Sequence, residues 1–138
     1  MPDQQRSIYT SIKARGDAAP GSVTFHRLQA PRGTSLPYAV IIIEDDPVDI
    51  GFGTSAELRQ VSWDCVITFP GPPTMTVDAI MSTADDIWSQ FHRWSVPSTS
   101  GLDGAVNIGI DRTTMRGGVD PDVLVVIQRY LLAGTGKE

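Results

Sequence analysis

The sequence is poor in the residues from which many functions are built. It holds a single cysteine, Cys65, in 138 residues, so no internal disulfide can form and a reducing cytoplasm is the expected compartment of synthesis. Its two histidines, His26 and His92, have no metal-ligating partner at hairpin or helical spacing, so no metal and no cofactor is expected. Positive charge is short: 11 Lys and Arg stand against 16 Asp and Glu, for a net charge of −5 and an isoelectric point near 4.8. A domain that grips phosphate backbones carries the opposite sign, which argues against nucleic-acid binding as the main task. The longest apolar runs, Tyr38–Ile43 and Val123–Ile127, fall far short of the roughly 20 residues that a bilayer-crossing helix needs. The opening "MPDQQRSIYTSIK" has no apolar signal core, so export by that route is not expected.

What is present is turn chemistry and alternation. Glycine (13) and proline (10) make up about one residue in six, which favours a sheet-rich domain over a helical bundle. Ile8, Tyr9 and Ile12 share a helical face, predicting a short helix over 3–15 that stops at Gly16. Residues 22–28 alternate as a strand. The corner "RLQAPRGTSLP" follows; Pro37 holds Leu36 extended and delivers Tyr38–Ile43 as a second strand. Residues 44–55 read as a long polar loop. The clearest period-two pattern spans 58–69, with Val61, Trp63, Cys65, Ile67 and Phe69 on one side. After "PGPP" an amphipathic helix is predicted over 74–95, with Thr74 or Thr76 as N-cap and Asp78 in its first turn. Val77, Ile80, Ala84, Ile87, Phe91 and Trp94 form its stripe, with Trp88 beside it. Residues 106–110 alternate as a strand, "RTTMRGGVDPD" reads as a turn region, and Val123–Leu132 as the last strand. The expected fold is α+β: a largely antiparallel sheet of about five strands packed by one long amphipathic helix, plus a short N-terminal helix. Residues 1–132 form one domain, and 133–138 a loose tail. Val61, Trp63, Cys65, Ile67, Phe69, Ile80, Ile87, Phe91 and Trp94 are the expected core.

The search for chemistry returns little. Glu44, Asp45, Asp46 and Asp49 are dense enough to suggest a cation site, but the calcium-loop spacing fails in both registers, placing Pro47, Val48 or Ile50 at ligand positions. "GFGTSA" over 51–56 repeats the glycines of a dinucleotide fingerprint without a strand before it or a helix after it. Cys65 shares the apolar side of its strand and reads as a small buried hydrophobe. Trp88, Phe91 and Trp94 read as core, with a small-ligand pocket as the competing reading. No catalytic residue is expected. Arg112 and Arg116 in one predicted turn, and the 44–49 carboxylates in another, are the assembly or lumen candidates, as contacts between subunits.

The segment "RLQAPRGTSLPYAVI", with Pro31, Gly33, Leu36, Pro37, Tyr38 and Val40, together with the long strand "LRQVSWDCVITF", one long helix and two closing strands, resembles the tail-completion (tail-terminator) proteins of long-tailed bacteriophages. The likeness covers nearly the whole chain in order and length. It departs at the N-terminus, where the family often has a longer helical region with an apolar connection before the first strand and only "GDAAPG" stands here. The resemblance implies a structural virion protein, assembled in the host cytoplasm, that forms a homo-oligomeric ring, typically a hexamer, at the head-proximal end of the tail tube. Such a ring stops tube growth and offers the surface for head joining. Its implied partners are the tail tube protein, the head–tail connector protein, and genomic DNA that passes through the lumen without sequence-specific binding; no membrane is involved. A head–tail connector or neck subunit has the same order of elements and is the alternative.

Overall fold

The computed structural model describes residues 2–19, 23–43, 48–49, 58–72, 74–96, 102–116 and 123–136. In chain order the elements are α1 (Pro2–Asp17), β1 (Thr24–Arg27), β2 (Tyr38–Ile43), β3 (Val48–Asp49), β4 (Leu58–Pro70), α2 (Val77–Phe91), β5 (Trp94–Ser95), β6 (Leu102–Arg116) and β7 (Val123–Gly136). The strands form one seven-stranded sheet in the order β1-β2-β4-β7-β6-β5, with β3 also paired to β4. Both helices lie against one face of it.

This corrects the expected fold. The sheet is mixed, because β1 and β2 run parallel, with Thr24 beside Tyr38 and Arg27 beside Ile41. The corner of residues 28–37 is therefore a crossover and not a hairpin. It starts in a tight turn at Leu28 (φ 63°), where the Gln29 N–H meets the Arg27 carbonyl, and it ends at the cis Leu36–Pro37 bond. That turn returns the chain to the end of the sheet from which β1 began.

The helices also differ from expectation. There are two of similar length, 16 and 15 residues, and not one long helix with a short companion. Pro2 occupies the first helical position of α1, where a missing N–H costs nothing. Ile8 and Ile12 are buried, and Gly16 lies flat against Phe25, whose ring would stand 2.8 Å from any added Cβ. The polar last turn escapes the apolar pattern because α2 holds it. Arg15 Nε donates to the Gln90 carbonyl (2.9 Å), and Gln90 Nε2 donates to the Arg15 carbonyl (3.2 Å).

The helix α2 begins at Thr76, whose hydroxyl accepts the Ala79 N–H at 3.2 Å. It ends at Phe91, four residues short of the expected 95. The His92 N–H still reaches the Trp88 carbonyl, but Arg93 takes φ 61° and reverses the chain into β5. Trp94 stays buried on the same side of the molecule, which is why the helical period seemed to run on through it. The region 112–116, expected as a turn, is the far half of β6. β7 continues to Gly136, past the expected strand end at Leu132.

The core lies between the helices and the sheet. Val61, Trp63, Cys65, Ile67 and Phe69 of β4 are at most 2% exposed, as are Ile80, Ala84, Ile87 and Phe91 of α2. Trp63 stacks on Tyr130 (4.5 Å, 20°) and meets Phe91 edge-on (5.0 Å, 79°), the geometries that aromatic quadrupoles favour. Two buried amides tie this cluster to α2. Asn107 Oδ1 accepts from Trp63 Nε1 (2.8 Å), and its Nδ2 donates to the Phe91 carbonyl (2.9 Å). Gln128 Nε2 donates to the Ala84 carbonyl (2.8 Å), and its Oε1 accepts from the Tyr130 hydroxyl (2.6 Å). Each satisfied polar group removes a desolvation cost that would otherwise oppose burial.

Candidate assembly surface

The other face of the same strands is open. In a strand, successive side chains point to opposite faces, so the register that buries Trp63 with Tyr130 and Ile67 with Val126 turns Val66 with Ile127, and Ser62 with Leu131, the other way. β2 adds Val40 beside Val66 and Ile42 beside Asp64. β6 adds Val106 beside Ala133 and Ile108 beside Leu131. Among the described residues no helix packs there. Ile42, Val106 and Ile108 are each more than a third exposed.

Strand β6 reverses the usual sidedness. Its isoleucine and valine face outward, while Asn107 and Gly109 face the helices. Both exceptions have a packing cause. Asn107 makes the two hydrogen bonds above. Gly109 accommodates the indole of Trp88, which would stand 2.2 Å from an added Cβ. The register then slips between Gly109 and Asp111, leaving Ile110 unmatched and 56% exposed at the rim. Such a bulge locally bends a strand and increases its twist.

One polar row crosses the apolar field. Asp64 on β4, Arg129 on β7 and Asp111 on β6 are register neighbours. Arg129 Nε lies 3.2 Å from Asp64 Oδ1, and Asp111 Oδ1 accepts the Arg112 N–H at 2.8 Å. The open field is about four strands wide and nine residues long, roughly 600 Å² in projection. It is not apolar throughout: besides Val66, β4 turns Gln60, Ser62, Asp64 and Thr68 to this side, so Ile42 on β2 and Val106 and Ile108 on β6 flank a polar band.

The residues singled out from sequence fall elsewhere. Glu44, Asp45 and Asp46 lie outside the described residues. Asp49 is in β3, opposite Arg59. Arg112 is in a strand and already engaged within its own subunit. Its Nη1 lies 2.8 Å from Asp85 Oδ1 on α2, and its guanidinium sits 4.7 Å above the Trp88 ring. Arg116 is the last residue of β6, opposite Leu124. The Trp88 ring system also stacks near His92 (5.5 Å, 18°), whose Nδ1 accepts the Gly109 N–H at 3.0 Å. Phe91 and Trp94 are buried in the aromatic core with Trp88 packed against it, as fits structural side chains.

Cys65 is wholly buried, and burial, reinforced by the neighbouring Asp64 charge, pushes its thiol well above the usual range. The thiolate needed for nucleophilic chemistry is thus disfavoured. Among the described residues no three His, Cys, Asp or Glu side chains gather as a metal site. No helix there is long and apolar enough to cross a membrane.

The open face was missed from sequence because its residues look like core. Val40 and Ile127 belong to continuous apolar runs in which both faces are hydrophobic, and a run of that kind does not say which side is covered.

No family model matches the chain, and no curated protein matches it in sequence. A solved chain from the "Virion of native gene transfer agent (GTA) particle" is similar in fold, with a TM-score of 0.62 at 11% identity, covering 96% of this chain and 94% of that one. At that identity the likeness is one of fold.

Proposed function

We propose that this protein is a structural subunit of a phage-like particle. It forms a ring, most simply a hexamer, at the head-proximal end of a tail tube, where it stops tube growth and provides the surface for head joining. The observation that carries the reading is a fold shared over nearly its full length with a chain of a virion particle, on a sheet whose open face leaves Ile42, Val106, Ile108 and Ile110 exposed. A subunit that leaves such a face in water gains by assembly, since each Å² of apolar surface removed contributes about 25 cal/mol. The corner with Pro31, Gly33, Leu36 and Pro37 adds the resemblance to tail-completion proteins. The buried Cys65 and the packed aromatic cluster support a structural role over an enzymatic one.

The net negative charge of the chain suits a channel through which genomic DNA moves, because like charge opposes sticking. Glu44, Asp45, Asp46 and Asp49 are the lumen candidates in this reading. Arg112 is a weaker candidate for a contact between subunits, because it already pairs with Asp85, and exposed pairs contribute only about 0–1 kcal/mol. Buried apolar area must supply the affinity. A neck or connector subunit is the second reading, favoured by the same fold likeness.

The test is made on particles. Immunogold labelling or electron microscopy is expected to place the chain in one ring at the head-proximal tail end. Deleting the gene is expected to give tails of uncontrolled length or tails that fail to join heads. Normal, joined tails after deletion would end the terminator reading.

A further inference from the structure

We propose that the lane beside β6 on the α2 side takes an extended segment of another chain, added as a strand antiparallel to β6. The segment carries apolar side chains at alternate positions. In a particle such a segment comes from a neighbouring component; that consequence rests on the reading above, and the lane does not. Two observations define the occupant.

The first is an unfinished ladder. β5 already lies in this lane and runs antiparallel to β6, but it covers only Val106 and Asn107. Two side chains close the next positions. His92 Nδ1 accepts the Gly109 N–H (3.0 Å), and Asp111 Oδ1 accepts the Arg112 N–H (2.8 Å). From there to Arg116 no described strand pairs with β6 on this side, while its register with β7 is regular. Along a strand, backbone groups turn alternately to either neighbour. The Arg112 N–H is spent on a side chain and turned from β7, so the N–H and C=O of Thr114 also face the lane. Thr114 is exposed. A row of unpaired backbone groups at an exposed edge is a template for another strand. The opposite end of the sheet offers no such row, because Phe25 in β1 is fully buried.

The second is the wall of the lane. Three residues of α2 meet β6: Asp85 pairs with Arg112, Trp88 lies on Gly109, and His92 caps the Gly109 N–H. At steps of four towards the helix start, Met81 and Val77 continue the same stripe. They are 39% and 53% exposed. Four helical residues and two strand residues both span about 6–7 Å. Met81 therefore stands level with Thr114, and Val77 with Arg116. Thr114 shares a ladder row with Val126 and Ile67, both buried on the helix side. A residue paired with Thr114 thus turns towards α2 as well. An apolar side chain there covers Met81, and the next but one covers Val77. Strand addition of this kind takes affinity from the main chain and specificity from alternate side chains.

The probe is a peptide of about eight residues, an ordinary strand length, with valine and threonine alternating and lysine at both ends for solubility. It is titrated into the isotope-labelled full chain and followed by NMR. Saturable shifts are expected at the amides of residues 112–116 and at the Met81 methyl group, with slowed exchange of the Thr114 amide. A peptide of the same composition with its valines at helical spacing is expected to leave these signals unmoved. Thr114→Pro removes an N–H that faces no described strand, a change that an edge tolerates. Met81→Lys charges the wall. Each is expected to abolish the shifts at a melting temperature near that of the parent. Ile42→Asp, on the other face of the sheet, is expected to leave binding intact.

The absence of saturable shifts would overturn the proposal. So would shifts confined to the open sheet face, equal binding of the helically spaced peptide, or binding that survives Thr114→Pro. Shifts at 112–116 that grow with protein concentration alone would give the lane to a second copy, and would overturn it too. The gene deletion above fails or succeeds independently. Binding with normal tails after deletion keeps this inference and removes the ring reading; no binding with unjoined tails does the reverse.

Discussion

Trp63 and Val66 stand on the same strand, and their surroundings have little in common. Trp63 is enclosed by Tyr130, Phe91 and Asn107. Val66 is held on either side by Val40 and Ile127 and by nothing described above it. The inward face of β4 is apolar throughout, whereas among its outward residues Gln60, Ser62, Asp64, Val66 and Thr68 only Val66 is apolar. A sheet with one face covered by helices and the other solvated usually alternates apolar with polar residues. β4 follows that rule, while β2, β7 and β6 depart from it, with Val40, Ile42, Ile127, Leu131, Val106 and Ile108 on the side away from the helices.

The comparison is broken most directly by truncating one side chain on each face. Trp63→Ala is expected to cost about 3–5 kcal/mol, through lost packing and a freed Asn107 carbonyl. Val66→Ala, measured by urea denaturation in dilute solution, is expected to cost roughly 1 kcal/mol or less. Equal losses would mean that the open face is covered within the free subunit.

The next effect concerns the inverted strand. Gly109→Ala must push Trp88 out of its seat, an overpacking cost of about 1–3 kcal/mol. In a double-mutant cycle with Trp88→Ala, most of that cost should disappear. A cost that persists without the indole would locate the need for glycine in the backbone.

The smallest effect is alkaline. The Cys65 thiol, raised from its usual 9.0 by burial and then by Asp64, stays protonated in the folded chain while the unfolded chain ionises. Above pH 9.0 the unfolded state binds fewer protons, so stability falls as pH rises, by up to about 1.4 kcal/mol per pH unit. Tyr130, raised by burial first and by Cys65 next, with Arg112 opposing, adds a second loss above its usual 10.0. Cys65→Ala should remove the earlier loss and leave the later one, and identical pH profiles for parent and variant would contradict it.

Legibility differed from element to element for identifiable reasons. β4 was readable because its alternation holds over nearly its whole length, and β2 because an apolar, β-branched run follows directly on Pro37. The start of α2 was readable because Thr76 and Asp78 carry a local signal. Its end was not, because Trp94 sits at a helical interval from Phe91 although a left-handed Arg93 lies between them. The last third of β6 was hidden because Arg112–Arg116 lies at the sheet rim, where polar residues cost nothing. The carboxylates and arginines drew attention as charge, yet Arg112 is closed onto Asp85, and the candidate surface is the mixed open side of the sheet.

By itself, the sequence determined the existence of the long alternating strand, the amphipathic helix and the absence of a disulfide frame, because each depends on neighbours within a few residues. The tertiary structure alone decided that β1 and β2 run parallel, that Asn107 and Gly109 turn inward while Ile108 turns out, and which face of the sheet the helices cover. Those outcomes depend on which elements compete for the same face. Two helices of 16 and 15 residues cover one side of a seven-stranded sheet, and no period in the sequence records which side they take.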